Sequence, residues 1–211
     1  MQPTRHFDRA KRATESRWRE VHPGCFAGVT VGALVPPYYI AVTDEDAPSA
    51  AALSDGGRAQ LFAGLENLRG RLEARMGPST VMVFEHGAAG GADWGSSCIN
   101  EHHMHVVGVT SSLVGAVEQA FVEAGGEGRL VRDWAELQAW ADSSYQLFST
   151  RPGEYRVFSD GPRFSRQFGR QVLAERLGIG SQYNWRDHPM LQNMRLGTQI
   201  LDSLLAEEKA A

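Results

Sequence analysis

The chain has 211 residues, of which 42% are hydrophobic and 22% charged, and its formal net charge is -4 at pH 7. This is ordinary globular composition, long enough for one sizeable core, and it excludes the disordered and fibrous classes. The acidic balance argues against a nucleic-acid polymer as partner, because a protein that grips a phosphate backbone is usually basic; a local cationic pocket for a small anion stays open.

Cys25 and Cys98 form no CxxC pair and no zinc spacing, so reduced thiols and a cytoplasmic location are expected. No apolar run approaches the ~20 residues a membrane helix needs, and no apolar segment near Met1 reads as a signal peptide. No membrane partner is expected. Met1 to Glu20 is rich in Arg but carries Asp8, Glu15 and Glu20, and residues 1–25 read as a polar, partly helical arm.

Phe26 to Leu34 and Tyr38 to Val42 are predicted as two strands split at Pro36-Pro37. Pro48 to Asp55 reads as a loop leading into a helix. Leu61, Leu65, Leu68 and Leu72 recur at helical spacing and form one apolar face, ending near Gly77-Pro78. Thr80 to Phe84 reads as a buried strand, Gly87 to Ser97 as a glycine-rich loop, and Ile99 to Val109 as another strand. Leu113 to Ala124 and Trp134 to Ala141 read as helices. Tyr145 to Ser149 and Tyr155 to Ser159 read as a hairpin around Arg151-Pro152-Gly153, and Phe164 to Leu177 and Leu191 to Glu207 as closing helices. The order implies an α+β fold on a mainly antiparallel sheet.

Of seven histidines, three fall within four residues: His102, His103 and His105. On a strand, alternate side chains share a face. Glu101, His103 and His105 therefore lie on one side, with His102 and Met104 on the other. Two same-face imidazoles beside a carboxylate and a Gly/Ser turn form a polar cluster that is costly to bury without a ligand. Such titratable clusters mark working sites. A metal site built on Glu101, His103 and His105 is one reading. The Val106 to Leu113 segment supplies no further carboxylate or imidazole to extend it. A nucleophilic histidine is the other.

Phe84-Glu85-His86-Gly87, then Gly95-Ser96-Ser97-Cys98-Ile99-Asn100, then Glu101-His102-His103-Met104-His105-Val106-Val107 resembles the signature of the histidine-triad (HIT) superfamily. That signature is His-φ-His-φ-His-φ-φ, with φ apolar, after a small-residue turn. The resemblance runs from about Phe26 to Val109. It implies a HIT-like fold with His103 as the nucleophile and His105 contacting phosphate. Glu101 stands where the family has its first histidine, and His102 where it has an apolar or small residue. A glutamate there keeps the backbone carbonyl while changing the charge, so the leaving group and acceptor stay open. The resemblance further implies a nucleotide or nucleotidylated small molecule as substrate, no cofactor, and a homodimer.

The expected function is a nucleotide hydrolase or nucleotidyl transferase, phosphorolysis included, acting through a covalent His103 intermediate. Its alternatives are a non-catalytic nucleotide-binding protein and the metalloenzyme. Glu101, His103 and His105 are the candidate catalytic residues. Ser97, Ser96, His86 and Glu85 are candidates for substrate or phosphate contact. The glycine-rich loop matches neither the Walker nor the Rossmann pattern. Residues 26–110 are read as the HIT-like core and 111–211 as an extension packed on it. In that extension Arg163, Arg166 and Arg170 recur at helical spacing, read mainly as a solvated helix face, with reach to a phosphate as the second option.

Overall fold

A computed structural model of the chain describes residues 18–89 and 102–208. Their fold is α+β. Eight strands form one open sheet, all neighbours antiparallel, in the order β1-β2-β3-β5-β4-β7-β8-β6. The strands are β1 (Trp18–His22), β2 (Cys25–Val29), β3 (Tyr38–Thr43), β4 (Val81–Gly87), β5 (Met104–Gly108), β6 (Arg129–Val131), β7 (Tyr145–Arg151) and β8 (Glu154–Ser159). The α-helices are α1 (Asp55–Met76), α2 (Ser111–Gly125), α3 (Phe168–Arg176) and α4 (Leu191–Glu208). None is long and apolar enough to cross a membrane.

Helix α1 starts where Ser54 Oγ accepts the Gly57 N–H at 3.0 Å and ends at Gly77 before Pro78. Its Leu61, Leu65, Leu68 and Leu72 are all fully buried. This helix covers one face of the sheet, and α4 joins it there, with Tyr39 donating its hydroxyl to Gly197 O at 3.1 Å. Helices α2 and α3 cover the other face. Phe121 of α2 stacks on Phe148 at 4.5 Å and meets Phe168 of α3 edge-on at 5.0 Å.

Several boundaries differ from the sequence expectation. The segment from Trp18 is a strand, not part of a helical arm. Pro23 and Gly24, with Gly24 at φ 76°, turn β1 back onto β2. Residues 164–167 lie outside α3, because Gln167 adopts a left-handed conformation with φ 59° just before the helix. Trp134–Trp140 is a 3-10 helix. Strand β6 is only three residues long, too short for its alternation to register in sequence. The sheet runs on past the proposed core: β7 pairs directly with β4, so the extension supplies three of the eight strands.

Candidate functional site

Cross-strand register assigns the site residues to faces. Ile40, His105, Phe84 and Phe148 stand in one row, each paired with the next. They face α2 and α3. His103 belongs to the same face: its ring lies 5.0 Å from the His105 ring, at 73°. His86 lies two residues beyond Phe84 on β4 and so shares its face, while His103 lies just before β5, past the last register pair Phe84–His105. Three imidazoles, His86, His103 and His105, are thus gathered on one side of the sheet.

His105 is enclosed by Phe84, stacked at 4.6 Å and 14°, and by Tyr38, edge-on at 5.6 Å. Burial holds its pKa well below the ordinary histidine value, and the His103 imidazole and the Arg170 guanidinium push in the same direction. His105 is therefore a neutral imidazole at physiological pH. Its Nδ1 is buried with no hydrogen-bond partner among the described residues.

Arg170 was expected on a solvated face and is instead 2% exposed. Only Arg163 and Arg166, which precede α3, stay exposed. The Arg170 guanidinium lies over the Tyr38 ring at 5.3 Å and donates to Gly32 O at 2.7 Å and Tyr183 O at 3.1 Å. Its Nη1 has no partner among the described residues. With Gly32 N–H donating to Pro189 O at 2.9 Å, these bonds pack residues 183–189 against the β2–β3 connection. A buried cation beside a neutral imidazole favours an anionic ligand.

His102 and Glu85 lie on the opposite face. Thr43 N–H donates to His102 Nε2 at 2.9 Å, and His102 N–H donates to Ala47 O at 2.8 Å. His102 therefore fastens the residues before β5 to the 43–47 segment, a role for a histidine where the resemblance implied an apolar or small residue. Glu85 is 1% exposed; its Oε1 accepts the Ala50 N–H at 2.9 Å and its Oε2 the Tyr145 hydroxyl. Burial pushes its carboxyl up to about 7, against those two hydrogen bonds. Burial, then the Glu85 charge, pushes the Tyr145 phenol up as well. A Cβ on Gly87 would sit 2.3 Å from the Tyr145 ring, so only glycine lets that ring close on Glu85. The sheet thus separates Glu85 from the three imidazoles, and its observed partners belong to the fold.

Glu101, Ser96 and Ser97 lie outside the described residues. Among the described residues no group of three His, Cys, Asp or Glu side chains could hold a metal ion. A cavity of about 90 Å³ bounded by Glu118, Phe148, Thr150 and Arg156 sits under α2 and holds none of the histidines. The sequence reading missed Tyr38, Asp160 and the burial of Arg170. No spacing rule ties residues so far apart to His105 or His86. No protein-family model matches the chain, and no curated protein matches its sequence.

Proposed function

We propose that the protein is a HIT-like nucleotide hydrolase or nucleotidyl transferase in which His103 attacks the phosphorus of a nucleotide ester, anhydride or phosphoramidate. The observation that carries this is the pairing of His103 with a buried His105 held neutral on one sheet face, with the Arg170 guanidinium close by. A phosphodiester-like centre is anionic and repels anionic nucleophiles. A neutral imidazole attacks it without that repulsion and leaves a reactive phosphoramidate. His105 can donate to a phosphoryl oxygen without bringing a charge that must be desolvated, and Arg170 supplies fixed positive potential as charge shifts in the transition state. The phosphoramidate then passes its nucleotidyl group to water, phosphate or another acceptor. The family resemblance adds a homodimer and a small-molecule substrate to this reading.

Turnover of a panel of nucleoside phosphoramidates, dinucleoside polyphosphates and nucleotidylated metabolites tests it. His103→Ala abolishes turnover of every compound the wild type processes; full turnover by that variant sinks the reading. A non-catalytic nucleotide-binding protein is the second reading, motivated by Glu101 and His102 in place of the family residues. Tight nucleoside monophosphate binding without turnover of any compound supports it.

A further inference from the structure

His86, the penultimate residue of β4, has its side chain 9% exposed, and its Nε2 lies 3.1 Å from Asp160 Oδ2. The other carboxylate oxygen accepts from Gln146 Nε2 at 3.3 Å. The Asp160 N–H donates to Ser144 O at 3.2 Å, fixing the residue just after β8. The carboxylate is thus gripped at both oxygens and at its backbone. With Nε2–H directed at Asp160, His86 must present Nδ1 elsewhere. That Nδ1 is buried and has no hydrogen-bond partner among the described residues. A buried imidazole nitrogen left unsatisfied is costly, as is expected where a ligand completes the site. Two residues along β4 from Phe84, the ring shares the face of Phe84 and of its register partner His105.

We propose that His86, positioned by Asp160, is the proton donor and acceptor for the two halves of the His103 reaction. This rests on the nucleophilic reading of His103. A carboxylate that fixes one imidazole nitrogen, leaving the other turned towards the reacting centre, is the arrangement general acid–base catalysis requires. In the first half, the lone pair of a His103 ring nitrogen forms the N–P bond. The bond from phosphorus to the leaving atom breaks, and its electron pair stays on that atom. The leaving atom takes the Nδ1 proton of the His86 imidazolium. In the second half, a water oxygen attacks phosphorus and gives a proton to His86 Nδ1. The N–P electron pair returns to His103, and a nucleoside monophosphate departs. Asp160 is a positioning residue: it holds the His86 tautomer and balances the imidazolium charge. It belongs to the extension, outside the HIT-like core, so the extension completes the site.

The test is the single-turnover rate of His103 nucleotidylation with two adenosine 5′-phosphate derivatives. One is the p-nitrophenyl ester, whose leaving group departs as a phenolate without a proton. The other is an alkylamine phosphoramidate, whose nitrogen must be protonated to leave. His86→Gln and Asp160→Asn are each expected to slow the phosphoramidate by roughly 10²–10⁴-fold, the usual worth of a general acid, and to leave the p-nitrophenyl ester near the wild-type rate. Equal slowing of both compounds, or of neither, overturns the proposal; a merely structural His86–Asp160 link produces equal slowing. Asp160→Asn keeps the shape of the pair, so the test survives if His86→Gln fails to fold. Absence of any adduct in the wild type means that the His103 reading itself has failed, and the present inference with it. An adduct that forms without leaving-group selectivity in the variants refutes only the role of His86.

Discussion

Phe84 lies flat against His105, with ring centroids 4.6 Å apart and the planes 14° from parallel. The contact is a cross-strand pair, since Phe84 and His105 are direct register partners on β4 and β5. It is braced from behind by α3, where a Cβ on Gly169 would fall 2.8 Å from the Phe84 ring. The glycine, the phenyl ring and the imidazole form one stack, so a change at Gly169 is transmitted to the site.

Gly169→Ala is therefore expected to push the Phe84 ring off His105. The strain costs about 1–3 kcal/mol, the usual range for overpacking a filled core. Thermal denaturation reads the loss of stability, and the ring-proton resonances of His105 read the displaced aromatic. Unchanged resonances and an unchanged melting temperature would show that the stack yields elsewhere.

Two buried groups act on stability with opposite sign. The folded-state pKa of Glu85, about 7, lies above the ordinary glutamate value of 4.5. Its contribution is complete below about pH 4.5 and is lost as pH rises through 7, because the unfolded chain releases a proton that the fold retains. A shift of that size corresponds to roughly 3 kcal/mol. Glu85→Gln mimics the protonated acid, so it should gain stability relative to wild type between pH 5 and pH 8. Urea denaturation at both ends of that window checks the difference; a pH-independent difference would contradict it.

His105 runs the other way. Its folded pKa is depressed, so its contribution is present above the ordinary histidine pKa and is lost as pH falls below it, where the unfolded chain takes up a proton that the fold refuses. His105→Gln removes this term. Between pH 7.5 and pH 5 the variant should gain stability relative to wild type. Because Glu85 and His105 oppose each other in this range, the wild-type profile alone conceals both, and the single-variant differences reveal them.

Phe121 ties the α2–α3 layer to the sheet. It is fully buried and contacts Phe84, Phe148, Phe158, Phe164 and Phe168. Phe121→Ala should cost about 3–5 kcal/mol, the range for emptying an aromatic site in a core. Equilibrium unfolding measures it. A cost below 1 kcal/mol would mean that the layer repacks freely.

The elements with strong periodicity or clear punctuation were legible in the sequence. Leu61, Leu65, Leu68 and Leu72 marked α1, and Arg151-Pro152-Gly153 marked the turn between β7 and β8. The alternation expected over His102 to His105 agrees with His103 beside His105 and His102 bonded to Thr43 on the other face, although β5 itself begins only at Met104 and Glu101 lies outside the described residues. What stayed hidden is non-local. Glu85 and His86 are adjacent in sequence, yet the pleat sends one to Tyr145 and the other to Asp160. Arg170 resembled the exposed Arg163 and Arg166, but only Arg170 falls within α3 and over Tyr38. The three-residue β6 left no pattern to read.

In the proposed reaction His103 forms a covalent bond to phosphorus. Intact-protein mass spectrometry tests it most directly, after brief mixing with adenylylated and guanylylated compounds and quenching at high pH, where phosphohistidine survives. A nucleotidyl mass adduct is expected in the wild type and is expected to be absent from His103→Ala. An adduct that persists in His103→Ala, or measurable nucleotide binding with no adduct from any compound, would contradict it.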